Sequence, residues 1–290
     1  MTARAASSTA VLVCQGRAAA DGRYAVGRFS DPVAVRLLDP AERAVVDRVR
    51  TGAAPPGSER MAYEMVRRTG ITMVPRTVAI DAAVRAHAAP QVVILGAGLD
   101  ARAWRMPELA DATVYEVDHP ASQADKVRRA GALEPVAGRL VPVAVDLAAD
   151  SLAGPLVAAG FDREVATTWV WEGVVPYLTA RAVRGTVAQV AELSATGSRL
   201  VVNYQARSLF TRVMQGAMRL VWRLSRQPDP MAGEPWRSMW RPGQLRTLLQ
   251  RGGFEVLSDE SLLALAEGLD LPPGNEGSLR NGRILVAVLR

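Results

Sequence analysis

The stretch Val92-Val93-Ile94-Leu95-Gly96-Ala97-Gly98-Leu99-Asp100 constrains the fold of this chain more than any other. An apolar run breaks into a glycine turn. A second apolar run, Val114-Tyr115-Glu116-Val117, ends in Asp118, 20 residues after Gly98. Glycines let a backbone turn sharply and approach a ligand closely. A carboxylate at the tip of the next strand can accept hydrogen bonds from both hydroxyls of a ribose. The two runs therefore predict neighbouring parallel strands with a nucleoside-cofactor site at their carboxyl ends.

A chain of 290 residues can bury a large core, and one domain with an elaborated edge is expected. Hydrophobic residues make up 49% and charged residues 22%, the balance of an ordinary globular protein. No apolar run reaches membrane-spanning length, and the amino-terminal residues lack a signal-peptide layout, so a cytoplasmic protein without a membrane partner is expected. Cys14 is the only cysteine; it excludes an intrachain disulfide and reads as a small apolar filler. A net charge of +6 raises the question of nucleic acid. Yet Lys126 is the only lysine, and the arginines are scattered without an aromatic-interleaved cluster. This pattern reads as the bias of a GC-rich genome, and nucleic acid is not expected as a partner.

Residues 1–89 read as a helical amino-terminal cap, with Asp31-Pro32 starting a helix over Val33 to Leu38 and a loop over Thr51 to Gly57. From residue 90 to 205 short β-rich runs alternate with helical stretches, the signature of βαβ units. Strands are predicted at Gln91–Leu95, Thr113–Val117, Arg139–Val145, Val165–Trp171 and Arg199–Tyr204. Pro120 suits the first turn of the helix after the second strand. Pro142 places the third strand at a sheet edge, where a 3-2-1-4-5 order puts it. Residues 206–252 carry a Met- and Trp-rich segment and then a leucine stripe, Leu245, Leu248 and Leu249, stopped by Gly252-Gly253. Residues 253–290 end the domain with strands at Phe254–Leu257 and Ile284–Leu289.

Gly96-Ala97-Gly98-Leu99-Asp100-Ala101 also satisfies the dinucleotide fingerprint. An NAD(P)-dependent oxidoreductase is therefore one alternative, and a catalytically inactive cofactor-binding protein another. Against a dehydrogenase stand three features. No second mononucleotide-binding half follows, no tyrosine precedes a lysine by four residues, and neither His87 nor His119 has a hydride-transfer neighbourhood.

Four ordered blocks carry a more specific signal. They are Val92 to Arg102, Tyr115-Glu116-Val117-Asp118-His119-Pro120, Val145-Asp146-Leu147, and Trp171-Glu172-Gly173-Val174-Val175-Pro176-Tyr177-Leu178. Together they resemble the leucine carboxyl methyltransferase family, from roughly Thr9 to Val202. That family belongs to the class I S-adenosylmethionine-dependent methyltransferases, with bacterial members that act on polyketide and other small carboxylates or hydroxyls. The resemblance implies an α/β fold: a doubly wound, Rossmann-like sheet of seven mostly parallel strands whose last strand is antiparallel. A helical amino-terminal extension and a helical lid insertion complete the expected architecture.

The resemblance also implies S-adenosyl-L-methionine as donor, S-adenosylhomocysteine as product, no metal, and a set of contacts. Gly96, Ala97 and Gly98 line the methionyl side, Asp118 holds the ribose, Asp146 accepts the adenine amine, and Leu147 packs on the ring. Arg76 clamps the donor carboxylate with Arg17 as a second contact, and Glu172 faces the sulfonium or the ammonium. Bland roles stand beside these: helix caps for Asp118 and Asp146, a surface salt bridge for Arg76, loop bonding for Glu172, and a solvated helix face for Lys126.

A carboxylate acceptor needs no proton removed, whereas an alcohol or phenol wants a base. His119 sits beside the ribose acid and His87 at the far strand end, leaving Glu172, Tyr177 and Tyr204 as candidate bases. The expected acceptor is a small hydrophobic carboxylate or acidic phenol of secondary metabolism. Tyr204, Arg207, Arg212 and Trp222 are its candidate contacts, under a lid formed after Tyr204.

Overall fold

The structure is a computed structural model that describes residues 7–207 and 236–290. Among these residues seven strands form one sheet in the order β3-β2-β1-β4-β5-β7-β6. They are β1 (Gln91–Leu95), β2 (Thr113–Asp118), β3 (Arg139–Ala144), β4 (Thr167–Trp171), β5 (Arg199–Gln205), β6 (Phe254–Ser261) and β7 (Gly282–Leu289). The first five run parallel, and β7 pairs antiparallel with both β5 and β6. Pro142 lies in edge strand β3 opposite Glu116, so its missing N–H leaves no ladder bond unmade on a second side.

The helices among the described residues are α1 (Ser8–Ala20), α2 (Pro40–Thr51), α3 (Glu59–His87), α4 (Arg102–Arg105), α5 (Pro120–Ala130), α6 (Ala153–Ala158), α7 (Ala180–Glu192), α8 (Pro242–Arg251), α9 (Leu262–Leu265) and α10 (Glu276–Asn281). None is long and apolar enough to cross a membrane. Local chemistry explains the boundaries. Pro120 opens α5 with His119 as its cap, Thr179 caps α7 by accepting from the Ala182 N–H at 3.2 Å, and α8 stops at Gly252.

Side-chain alternation along the strands divides the core in two. Val92, Ile94, Val114, Val170 and Val201 face α1, α2 and α3. Val93, Leu95, Tyr115, Val117, Trp169 and Trp171 face the opposite layer, where α7 lays down Val183, Val187 and Val190 at helical spacing. Each fully buried aliphatic side chain on these faces contributes roughly 1.5–3 kcal/mol.

The structure departs from the sequence reading after Asp31-Pro32 and along β6, and one helix crosses a proline. Only a single 3₁₀ turn, Ala34–Leu37, follows Asp31-Pro32. Helix α3 runs through Pro75, because its buried face packs on α1 and the sheet along most of its length. Strand β6 continues to Ser261 across a bulge between Val256 and Ser258. The polar run Ser258-Asp259-Glu260-Ser261 reads as loop, but Asp259 is held in place by Arg283 (2.8 Å), Arg246 (3.0 Å) and the Tyr204 hydroxyl (2.9 Å).

The amino-terminal helices are bound to the sheet by charge. Asp31 pairs with Arg17 (2.8 Å) and lies 3.6 Å from Arg105; Arg105 and Arg102 share Asp81; Arg102 reaches Asp100 and Glu172; Glu172 pairs with Arg76. Every side chain in this chain of pairs is 9% exposed or less. Four guanidinium groups are matched by four carboxylates. Burial makes each ion costly alone, and alternation of sign makes the set tolerable. Asp81→Asn, which strips two arginines of a partner, is expected to lower unfolding stability by about 3–5 kcal/mol in urea titrations. Glu59→Gln at the exposed Arg48 pair is expected to cost at most about 1 kcal/mol. Equal effects would contradict this account of the network.

Candidate active site

A cleft of about 430 Å³ opens at the carboxyl ends of the parallel strands, beside the β1/β4 switch in strand order. Its floor is the turn after β1. Gly96 has φ 69°, and a Cβ there would lie 2.2 Å from Val174 Cγ2, so only glycine fits. The Gly96 and Ala97 N–H groups donate to the Val117 carbonyl at 2.7 and 3.1 Å, which ties the turn to β2.

Asp118 ends β2 within the cleft. Its Oδ2 accepts from the Gly98 N–H and its Oδ1 from the His119 N–H, both at 2.6 Å. Burial pushes its pKa up against the lowering effect of those two bonds. Each carboxylate oxygen keeps acceptor capacity for a further donor. His119 Nδ1 accepts from the Ala121 N–H at 3.2 Å, so this ring is engaged in capping α5. At the end of β3, Asp146 and Leu147 line the cleft, and Asp146 Oδ1 accepts from the Ala148 N–H at 2.9 Å.

Across the turn, Arg76 and Arg17 project into the cleft wall from α3 and α1. Arg17 donates to the Leu99 carbonyl at 2.5 Å, and Arg76 Nε lies 2.7 Å from Glu172 Oε1. Burial alone would raise the Glu172 carboxyl, but the charges of Arg76, Arg102 and Arg17 outweigh it and hold the group far below the usual carboxylate range. The cleft thus gathers Arg17, Arg76, Gly96, Ala97, Gly98, Asp118, Asp146, Leu147, Glu172 and Tyr177, all singled out in the sequence.

Other expectations need correction. Glu172 is unsuited to proton abstraction, because its paired arginines stabilise the ionised form. Tyr204 is fully buried outside the cleft lining, and its hydroxyl donates to Asp259 on β6. Burial and the Asp259 charge push its phenol up, away from service as a base or acceptor contact. Arg207 is likewise outside the cleft lining, with its N–H on the Trp240 carbonyl at 3.0 Å. Arg212, Trp222 and most of the expected lid lie outside the described residues. Lys126 is not on a solvated face: it is buried 2.7 Å from Glu116 and 5.0 Å above the Trp104 ring. Cys14 is buried, its thiol pushed up to about 12 chiefly by burial.

Sequence reasoning missed the part of α1 that walls the cleft, Ser7, Thr9, Ala10 and Val13, as well as Val174 and Arg237. It also missed Asp81 and Asp100. The only local signal was Asp100-Ala101-Arg102-Ala103-Trp104-Arg105, where charges are interleaved with small and apolar residues.

The sequence profile of the leucine carboxyl methyltransferase family matches residues 10–191, well over half of the chain. The chain belongs to that family. It is an S-adenosylmethionine-dependent methyltransferase, as family members are. A protein of Mycobacterium sp. (strain KMS), provisionally named an S-adenosyl-L-methionine-dependent methyltransferase, is 37% identical over 215 residues, covering 69% of this chain and 67% of its own. A similarly named protein of Mycobacterium marinum is 38% identical over 211 residues, covering 70% of this chain and 67% of its own. Among solved structures, a DUF574-family protein of Streptomyces avermitilis matches with a TM-score of 0.58 at 14% identity, covering 99% of both chains. A Thermobifida fusca protein, provisionally named a methyltransferase, matches with a TM-score of 0.55 at 18% identity, covering 96% of this chain and 94% of its own. At such identities the likeness is one of fold.

The residues present suit this donor. Asp118 offers the kind of carboxylate a ribose diol needs, Arg17 and Arg76 offer the guanidinium groups a carboxylate needs, and a cleft of this size falls within the range for small ligands.

Beneath the floor, burial pushes Glu116 up to about 7 although Lys126 opposes the shift. The folded chain therefore holds this proton more tightly than the unfolded chain, whose Glu116 has the ordinary value of 4.5. The resulting stability is complete below about 4.5 and is lost as pH rises through about 7. Thermal denaturation from pH 5 to 8 should show the wild type losing melting temperature relative to Glu116→Gln. A constant difference, or the opposite trend, would contradict the assignment.

Proposed function

We propose that this methyltransferase acts on oxygen, and that its acceptor is a small hydrophobic molecule bearing a carboxylate or an acidic phenol. The observation that carries the reading is the chemistry of the cleft: His119, Glu172 and Tyr204 are each committed elsewhere or held ionised by arginines. His119 caps a helix, Glu172 is locked between Arg76 and Arg102, and Tyr204 is buried against Asp259. A carboxylate needs none of them, because it arrives ionised.

In this reading Gly96, Ala97 and Gly98 lie along the methionyl part of the donor, and Asp118 accepts from both ribose hydroxyls. Asp146 and Leu147 frame the adenine. Arg76, supported by Arg17, receives the donor carboxylate in a paired contact, and Glu172 faces the neighbouring positive charge. The bound donor supplies a methyl group on a sulfonium, an already activated leaving group. An acceptor oxygen forms the new O–C bond while the C–S bond breaks, its electron pair stays on sulfur, and with a carboxylate no proton moves. The protein's task is then alignment and exclusion of water. The cleft walls from α1 and from the turn at Val174 to Leu178 serve that purpose.

Asp118→Ala is expected to weaken S-adenosylhomocysteine binding by more than about tenfold in calorimetry, since buried hydroxyls lose their acceptor. An unchanged dissociation constant would remove Asp118 from the ribose site. Assays with radiolabelled donor against matched panels of carboxylic acids, phenols and amines test the acceptor class; transfer to amines alone would overturn it.

A further inference from the structure

Arg237 differs from the other arginines of the cleft. Arg17 is held by Asp31 and the Leu99 carbonyl, and Arg76 by Glu172. The Arg237 guanidinium is exposed and meets no carboxylate among the described residues. Its root is nonetheless fixed. The Arg237 N–H donates to the Pro176 carbonyl at 2.6 Å, the Ser238 N–H to the same carbonyl at 3.1 Å, and Ser238 Oγ to the Val175 carbonyl at 3.0 Å. These bonds tie Arg237 to the turn that carries Tyr177, and both residues line the same cleft.

The charges of the cleft give this cation its meaning. Its charged lining consists of Arg17, Arg76 and Arg237 against Asp100, Asp118, Asp146 and Glu172. That balance favours a donor with a net positive charge and repels an entering anion. An anionic acceptor therefore needs a local counter-charge, and Arg237 is the lining cation that no acid among the described residues neutralises.

We propose that Arg237 determines acceptor specificity by receiving a carboxylate of the acceptor. The assignment rests on the carboxylate reading above and adds to it the residue that recognises the anion. A guanidinium can take a carboxylate through two parallel N–H groups, whereas lysine offers only a point charge. Arg237 is a binding determinant here; the methyl transfer itself asks nothing further of it.

The test uses the full chain saturated with S-adenosylhomocysteine and titrated calorimetrically with 1-naphthoate and decanoate, each paired with its neutral amide. The wild type should bind each acid more tightly than its amide. Arg237→Gln should weaken the acids by about tenfold or more, Arg237→Lys by less, with the amides, the melting temperature and S-adenosylhomocysteine affinity unchanged. The proposal is overturned if Arg237→Gln binds the acids as the wild type does. It is equally overturned if neither acid is preferred over its amide by the wild type. Absence of S-adenosylhomocysteine binding in the wild type would overturn the donor site itself, and this assignment with it.

Discussion

The run of alternating guanidinium and carboxylate groups from Asp31 to Arg76 is the constraint on which the rest of the structure depends. It joins α1 and α3, which precede the sheet in the chain, to the residues that follow β1 and β4. Hydrophobic contact would hold these layers together but would leave their orientation loosely defined. Paired charges in a dry interior have few acceptable arrangements, because any shift that separates a pair leaves a buried ion exposed to its full desolvation cost. The network thus fixes where Arg17 and Arg76 stand in relation to the glycine turn.

The same pairing governs reactivity. Glu172 sits where an acid at a strand tip invites a catalytic role, yet its arginine partners keep it ionised and make it a poor acceptor of a proton. Asp118, with only backbone donors and substantial burial, is shifted the other way. Two carboxylates on one cleft are thereby given opposite tendencies by their surroundings. Neither is arranged for general-base work, and this is what favours an acceptor that brings its own charge.

Much of the sheet was legible because its signals are local. Apolar runs buried throughout, the turn at Gly96, Pro120 at a helix start and Pro142 at an edge each state their role within a few residues. The cleft residues at the strand tips followed from topology. Illegible features were those decided by partners far along the chain. Asp259 looks like a loop residue until Arg283 and Tyr204 are placed beside it, and Lys126 looks solvated until Glu116 and Trp104 enclose it. Tyr204 pointed to chemistry by its position near the end of β5 and proved to point into the sheet's other packing layer. Arg237 was hidden because nothing in its neighbourhood announces that Pro176 will hold it at the cleft.

The central claim is that the buried ion network presents Arg76 opposite Asp118 so that the two ends of an adenosyl methyl donor are gripped at once. A crystal structure of the chain with S-adenosylhomocysteine tests it most directly. The account predicts the ribose hydroxyls within hydrogen-bonding distance of both Asp118 oxygens and the amino-acid carboxylate on Arg76, with the Arg102–Asp81 pair intact. A ligand bound elsewhere, or one seated here with its carboxylate turned away from Arg76, would contradict it.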